Sequence, residues 1–288
     1  MGLLLAYMAN DSDRIACALH AARPLLHSKT QPHDSWGIGF YQGGEVLLQR
    51  RPKQNPLEVD FYEVCRPLRT DALLAHVRVG APSSGKAKNE NTHPFRFRSW
   101  LFAHHGRIEN FEAVKEKLLD RTPDFLRRNI RGQTDSEHLF HLLLGELQEI
   151  GKLDDTAVTT ESVRDAVRRT IASVGELSNS NTLGTLAIAN GRILVATRGD
   201  RPVHVLRLQA IYDCPVCRDS AKPQTQLGKR IDHEHLRGVL LVADADPAMA
   251  ARVHNLEPLG EGSFVSVSST LNVEYEPIDV PLQFQPIS

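Results

Sequence analysis

The chain has 288 residues, 34 of them Lys or Arg and 35 Asp or Glu, and its formal net charge is −1. This balance lacks the basic surplus that is typical of nucleic-acid-binding proteins and of proteins that bind anionic membranes, so we expect neither partner. Hydrophobic residues make up 41% of the sequence, which is close to the average for soluble globular proteins and argues against a disordered or fibrous chain.

The longest apolar runs cover residues 3–9 and 238–243, far fewer than the roughly 20 residues that span a bilayer. The first basic residue is Arg14, so the amino-terminal segment also lacks the pattern of a secretion signal. Four cysteines in a chain of this length do not form a disulfide framework. We therefore expect a protein of the reducing cytoplasm without a membrane anchor.

Short apolar runs that end at turn residues predict a first set of strands. These strands cover residues 3–9, 36–41, 45–50, 72–79 and 99–104. The Gly43-Gly44 pair predicts the turn of a hairpin between the second strand and the third. A helix capped by Asp11 or Ser12 is predicted over residues 13–22.

Helical spacing of apolar residues from Ile108 onward predicts helices over residues 110–119, 136–150 and 160–174. A second set of strands is predicted at residues 183–190, 192–198, 203–208, 238–245, 263–268 and 271–278. Asn190-Gly191 predicts a hairpin between the first two of them. The order of strands, helices and strands favours an α+β fold in which two antiparallel sheets pack together and helices cover their outer faces.

Polar residues cluster where the predicted strands end, at residues 33–40, 75–81, 91–95, 102–108 and 132–140. Side chains at strand ends can converge on one site. Arg78 can bind a carboxylate through two parallel hydrogen bonds, and Asp135 can bind an ammonium group. The turn at His105 and Gly106 can present backbone N–H groups to a developing oxyanion. Such a set suits a zwitterionic amino acid.

The same segments resemble the class II glutamine amidotransferases, in particular their small stand-alone branch. The motifs are W-G-I-G-F, H-V-R-V-G, N-T-H-P-F, F-A-H-x-G-x-I and T-D-S-E-H, in the family's order within residues 1–140. The resemblance implies a four-layer αββα sandwich, the N-terminal-nucleophile hydrolase fold, as a single domain over residues 1–288, and we expect no cofactor. It also implies that any synthase that accepts ammonia from this protein is a separate polypeptide.

Two departures from that family affect the chemistry. The family has a cysteine after the initiator methionine, whose thiol attacks the side-chain amide of glutamine while its own α-amino group transfers the proton. Gly2 occupies this position, and Cys17 and Cys65 are expected to be buried small residues that do not replace the thiol. The family also has asparagine before the glycine of the oxyanion turn, where this chain has His105 before Gly106. One oxyanion donor is typically worth about 10²- to 10³-fold in rate.

The residues to which the resemblance assigns ligand binding are retained. Arg78 corresponds to the carboxylate clamp, His93 to a histidine that lines the site and Asp135 to the acid that holds the α-ammonium group. We therefore predict a pocket that binds glutamine or a γ-glutamyl compound without cleaving it. The alternative is an active amidohydrolase whose natural cysteine has been replaced by Gly2.

Each of these residues also has a purely structural interpretation. Arg78 could form a surface salt bridge, and His93 could pack at a turn before its proline. Asp135 could simply begin a helix, because Thr134 with Glu137 three positions later predicts a capping box. The joint occurrence of the residues in the family's order favours the ligand-binding interpretation.

The C-P-V-C sequence at Cys214 and Cys217 is half of a zinc site, which His233 and His235 could complete. This pattern indicates a third alternative, an interaction module built around a structural metal. A single C-x-x-C is a weak signal, and we favour a turn with two free thiols and no metal.

Overall fold

Two antiparallel sheets form the centre of the fold. The computed structural model describes residues 2–29, 35–52, 58–78, 88–178, 183–220 and 231–279. One sheet has seven strands and the other has six, and two short strands pair separately. The predicted strand end at Val79 and the motif residues His33, Asp34, Gly80 and Ala81 lie outside the described residues.

The described strands are β1 (Leu3–Ala9), β2 (His27–Lys29), β3 (Ser35–Gln42), β4 (Glu45–Arg51), β5 (Glu58–Asp60), β6 (Ala72–Arg78), β7 (Phe95–Phe97), β8 (Trp100–His105), β9 (Thr185–Ala189), β10 (Leu194–Arg198), β11 (Val203–Ile211), β12 (His233–Ala243), β13 (Leu256–Pro258), β14 (Ser263–Val267) and β15 (Val273–Pro277). The seven-stranded sheet has the order β13-β11-β12-β1-β6-β3-β4. The six-stranded sheet has the order β15-β14-β10-β9-β8-β7, and β2 pairs with β5.

The described α-helices are α1 (Ile15–His20), α2 (Phe61–Cys65), α3 (Phe111–Arg121), α4 (Asp124–Arg127), α5 (Asp135–Glu149), α6 (Thr160–Ser178), α7 (Pro215–Ser220) and α8 (Pro247–Ala250). Helices α3, α5 and α6 share a hydrophobic core with the six-stranded sheet, and α1 and α2 share another with the seven-stranded sheet. None of the helices in the described ranges has the length and hydropathy that a membrane crossing requires.

Strand β1 contributes side chains to two different hydrophobic cores, one on each of its faces. All seven of its residues are buried, and side chains alternate between the two faces of a strand. Leu3 and Leu5 belong to the core beneath α1 and α2, whereas Leu4 and Ala6 belong to the core between the two sheets. Both faces of this central strand are therefore covered, and the predicted four-layer αββα sandwich is confirmed.

The two predicted hairpins are also confirmed. Gly43 and Gly44 connect β3 to β4 with φ angles of 61° and 81°, and Gly191 connects β9 to β10 with a φ of 83°. Glycine adopts such positive φ values without the steric cost that a Cβ atom imposes.

The differences from the predictions concern short elements and element ends. The first predicted helix is split into a 3₁₀ turn at Ser12–Arg14 and the short helix α1. Strand β12 begins at His233 instead of residue 238, because its polar first residues pair with the end of β11. Elements of three to six residues, such as β7, α2 and α7, were not predicted, since they contain too few residues to display a periodic pattern.

Candidate ligand-binding site

A cleft of about 1220 Å³ opens where strand ends from both sheets meet. Strand β1 begins there, and β6, β8 and β12 all end there. The residues predicted from the sequence that line this cleft are Gly2, Arg78, His93, His105, Gly106 and Asp135. The structure therefore brings all six predicted positions into one cavity.

The pairing of β1 with β6 positions two cationic or titratable side chains at the cleft. Leu3 pairs with Val77, and Leu4 pairs with His76. Because residues two apart point to the same face of a strand, His76 and Arg78 both line the cleft. Only Arg78 was predicted from the sequence, although the H-x-R spacing at a strand end was the signal that could have identified His76.

Gly2 is buried beside the imidazole ring of His105. A Cβ atom on Gly2 would lie 3.0 Å from His105 Nδ1, still closer to Cε1 of the same ring, and 2.9 Å from the carbonyl oxygen of Val77. Cβ atoms essentially never approach other heavy atoms closer than 3.0 Å. The imidazole thus fills the space that a side chain at position 2 needs, so positions 2 and 105 are sterically coupled.

His105 contacts an acidic residue on its other side. Its Nε2 atom lies 3.5 Å from Asp244 Oδ2, and the same carboxylate lies 3.8 Å from Arg201 Nη1. Burial lowers the pKa of His105, and the negative charge of Asp244 partly opposes this effect. A neutral ring that donates its Nε2 proton towards Asp244 leaves Nδ1, on the side of Gly2, as a hydrogen-bond acceptor.

Two further histidines form the inner wall of the cleft. The ring centroids of His76 and His93 are 4.5 Å apart, and those of His76 and His105 are 5.6 Å apart. Burial lowers the pKa of both His76 and His93 well below the ordinary value, so both rings are neutral at pH 7. Within the described ranges, Nε2 of His76 and both ring nitrogens of His93 lack a hydrogen-bond partner.

Arg78 is half-buried at the end of β6. Burial lowers the pKa of its guanidinium group, and the nearby carboxylate of Asp135 opposes that shift. The group remains cationic at neutral pH because an arginine pKa starts above about 12. Among the described residues, none forms a salt bridge with Arg78.

Asp135 is the first residue of α5, and its carboxylate is held by backbone N–H groups. Oδ2 accepts a hydrogen bond from the N–H of Ile108 at 2.9 Å, and Oδ1 accepts one from the N–H of Ser136 at 2.9 Å. An ionised carboxylate has about four lone-pair sites, so these bonds fix its orientation and leave acceptor capacity on the cleft side. Asp135 therefore begins α5 and also lines the cleft, so its structural role does not exclude the predicted contact with a ligand.

The predicted capping box is only half formed. The N–H of Glu137 donates to Thr134 Oγ1 at 3.2 Å, as expected for an N-cap. The carboxylate of Glu137 instead accepts hydrogen bonds from the N–H groups of Arg131 and Gly132, at 3.0 and 2.6 Å. It stabilises the loop that precedes α5 rather than the first turn of the helix.

The turn after β8 is tightly packed. Nδ1 of His104 forms a 2.9 Å hydrogen bond with Ser136 Oγ, and Nε2 contacts the carbonyl oxygen of Leu183. A Cβ atom on Gly106 would collide with that carbonyl and lie 2.7 Å from His104 Nε2, so only glycine fits here. His104 and His105 have different partners, as their alternation on a strand predicts.

The predicted half zinc site lies at the other end of β12. The side chains of Cys214, Cys217 and His233 come together, but the fourth member of the group is Cys17 from α1. His235, which the sequence offered as a possible fourth ligand, is exposed and does not belong to this group. Cys17 joins the group because α1 packs beside α7, a contact that no local spacing connects to the C-x-x-C motif.

Comparisons with known proteins agree with the fold. A family model described as "Glutamine amidotransferases class-II" matches residues 1–240. The chain belongs to this family. A solved structure, a glutamine aminotransferase class-II domain protein from Silicibacter pomeroyi, covers 96% of the chain and 99% of its own length with a TM-score of 0.53. At 16% identity, that likeness shows the fold alone.

Two curated relatives of this class II family member have names that describe a substrate group. The "Probable glutamine amidotransferase DUG3" of Saccharomyces cerevisiae is 34% identical over 57% of this chain and 51% of its own length. The "Gamma-glutamyl-hercynylcysteine sulfoxide hydrolase" of Mycolicibacterium smegmatis is 29% identical over 62% of this chain and 70% of its own length. The match therefore spans about half of the yeast protein.

Two cleft residues of this family member were not identified from the sequence. Asp244 follows the last residue of β12 with a φ of 60°, and Arg201 lies in the connection between β10 and β11. Neither belongs to a recognisable local motif, and only the sheet topology brings them to His105. Asp244 places a negative charge beside the His105 ring, and Arg201 places a positive charge beside Asp244.

Proposed function

We propose that this chain binds glutamine or a γ-glutamyl compound in the cleft and does not hydrolyse it through an amino-terminal thiol. The proposal rests above all on the Gly2–His105 contact, because the imidazole occupies the room of the missing nucleophile. Membership of the class II family supports an amino-acid ligand, and the names of both curated relatives refer to glutamine or to a γ-glutamyl group.

The ionic ends of the ligand have complementary partners. The guanidinium of Arg78 presents a planar set of donors that suits the α-carboxylate. The carboxylate of Asp135, oriented by Ile108 and Ser136, has free acceptor capacity for the α-ammonium group. The two groups lie near enough for the carboxylate of Asp135 to oppose the lowering of the Arg78 pKa by burial. This proximity supports the binding of one zwitterion by both residues.

The chemistry of His105 also argues against cleavage. A developing oxyanion needs hydrogen-bond donors at its position. In the tautomer that carries its proton on Nε2, the nitrogen beside Asp244, the neutral ring presents the acceptor Nδ1 towards Gly2. An acceptor repels an oxyanion, so the ring disfavours the tetrahedral intermediate that the asparagine of the family stabilises.

The size of the cleft favours a γ-glutamyl compound over free glutamine. Ligand pockets usually measure about 300–1,000 Å³, and this one measures about 1220 Å³. Glutamine is smaller than a drug-sized molecule and leaves much of that volume unfilled. A group attached to the γ-carbonyl would extend along α3, whose first residues, including Phe111, line the cleft.

Calorimetry with L-glutamine and with a γ-glutamyl dipeptide tests the proposal. We expect both to bind, the dipeptide more tightly, with no ammonia or free glutamate released. Truncating one partner of a buried charge pair costs about 2–5 kcal/mol, so Arg78→Ala and Asp135→Ala are each expected to weaken binding by at least about thirtyfold. Arg66→Ala, at an exposed surface pair with Glu63, is the matched control.

Two results would contradict the proposal. Unchanged affinity for the ligand in both Arg78→Ala and Asp135→Ala would show that these two residues do not bind it. Release of ammonia by the unmodified chain would support the active amidohydrolase instead. A protein that releases no ammonia needs no synthase subunit to receive it, so a stable complex with an ammonia-consuming enzyme is not expected.

A further inference from the structure

Four side chains that are typical zinc ligands meet at the end of β12 that is remote from the cleft. Sγ atoms of Cys17, Cys214 and Cys217 and an imidazole nitrogen of His233 all lie within 4.8 Å of one another. Cys17 Sγ is 3.5 Å from Cys217 Sγ, and Cys217 Sγ is 3.3 Å from His233 Nε2. We propose that these residues bind one zinc ion as a structural Cys₃His site.

The distances fit tetrahedral coordination. With Zn–S bonds of about 2.3 Å and a Zn–N bond of about 2.0–2.1 Å, tetrahedral ligands are separated by about 3.8 Å for two sulfurs and about 3.6 Å for sulfur and nitrogen. The Cys17–Cys217 and Cys217–His233 separations lie within about 0.3 Å of these values. The widest pair needs to approach by about 1 Å, which small side-chain rotations provide. A disulfide requires sulfurs about 2.05 Å apart, and all four cysteines are free.

The backbone around the C-x-x-C motif is already arranged for ligation. The N–H of Cys214 donates to the carbonyl of Ile231 at 2.8 Å, which fixes the motif beside the start of β12. Helix α7 begins directly after Cys214 and carries Cys217 in its first turn. Cys17 and Cys214 are buried, and Cys217 and His233 are half-buried. Four protein ligands in a largely closed site are typical of structural rather than catalytic zinc.

The charge and the ligand type also favour zinc. Three thiolates and one neutral imidazole around Zn²⁺ give a net charge of −1. Arg14 Nη1 lies 3.9 Å from Cys217 Sγ and supplies a compensating positive charge. Thiolate sulfur is a soft ligand that selects zinc over the hard cations Mg²⁺ and Ca²⁺. Binding releases the three thiol protons, and the proton of His233 stays on Nδ1 when Nε2 binds the metal.

The location indicates a stabilising function that is independent of the proposed ligand binding. His233 begins β12 and Asp244 directly follows its end, so at about 3.3 Å per residue the two sites are roughly 35 Å apart. The ion would connect α1, α7 and β12, which are distant in sequence. A structural zinc ion contributes to folding, so its loss is expected to change stability and to leave the contacts at the cleft intact.

Metal analysis of the purified full-length chain, expressed in zinc-supplemented medium, is the first test. We expect one zinc per chain in the parent protein. Cys17→Ser, Cys217→Ser and His233→Ala are each expected to lower zinc affinity by more than the 10- to 100-fold that removing an outer-shell partner costs. His235→Ala, on the same strand but exposed, and Cys65→Ala, outside the cluster, are the matched controls and should retain the metal.

A second measurement keeps the proposal testable if a variant fails to fold. The parent protein is stripped with a chelator and titrated with Co²⁺ alone, which should produce thiolate-to-cobalt charge-transfer bands and the intense visible bands of tetrahedral cobalt. Absence of both zinc in the parent and a tetrahedral cobalt spectrum would overturn the site. So would equal zinc loss in His235→Ala and His233→Ala, or a Cys17–Cys217 disulfide in the freshly purified protein.

Discussion

Replacing Gly2 by a residue with a side chain tests the steric coupling on which the proposed loss of hydrolysis depends. The added Cβ atom would lie 2.9 Å from the carbonyl of Val77 and would overlap the ring of His105. Overpacking of a buried site costs about 1–3 kcal/mol. We therefore expect Gly2→Ala and Gly2→Cys each to lower the free energy of unfolding by about 2 kcal/mol, or the melting temperature by roughly 4–8 °C.

A double-mutant cycle isolates the contribution of the ring. His105→Asn alone removes the contact with Asp244 and is expected to cost about 1–3 kcal/mol. In the double variant Gly2→Cys/His105→Asn the smaller amide makes room for the thiol, so the two costs should not add. The coupling free energy is expected to be about 1–3 kcal/mol in favour of the double variant.

Urea denaturation of the parent, the two single variants and the double variant measures this coupling. Mass spectrometry establishes that the initiator methionine has been removed from the cysteine variants. We expect ammonia release from glutamine only in the double variant, because there the thiol and the amide donor are present together. A Gly2→Cys protein as stable as the parent, with no coupling to His105→Asn, would refute the steric argument.

Two further predictions concern the helical layer on the six-stranded sheet. Burial lowers the pKa of His141 to about 4, below the unfolded value of about 6.5, so its contribution to stability is complete above pH 6.5 and is lost as the pH falls towards 4. The loss totals about 3 kcal/mol, and urea denaturation at a series of pH values should show a shallower acid slope for His141→Gln. Arg164 is buried and binds Glu274 at 2.9 Å and Glu276 at 2.8 Å. Because both carboxylates are partly exposed, Arg164→Met should cost about 2 kcal/mol, below the 3–5 kcal/mol of a fully buried pair. The exposed Arg128→Met control should change stability by less than about 1 kcal/mol, and equal effects would contradict the argument.

The fold was largely predictable from the sequence because its long elements carry strong periodic signals. The continuous apolar run of β1 predicts a strand that is buried on both faces, and the apolar spacing of α5 and α6 defines which face of each helix packs inward. The glycines at the two hairpins specify the turns. The short helices α2 and α7 have too few residues for a pattern, and their positions depend on tertiary packing.

The candidate site was predictable to the extent that its residues belong to local motifs. Arg78, His105 and Asp135 stand at strand ends or a helix start and reach one cleft. Asp244 and Cys17 reach their clusters only through the order of the strands and the packing of α1 beside α7. Such long-range partners leave no trace in spacing along the chain, which is why Cys17 was not connected to the C-x-x-C motif from the sequence.

The crystal structure of the protein with L-glutamine bound is the most direct test of the central claim. We expect the α-carboxylate on the guanidinium of Arg78, the α-ammonium group on Asp135, and an intact side-chain amide directed towards Gly2 and His105. Electron density for glutamate in place of glutamine, or a ligand whose carboxylate and ammonium groups contact neither Arg78 nor Asp135, would contradict it.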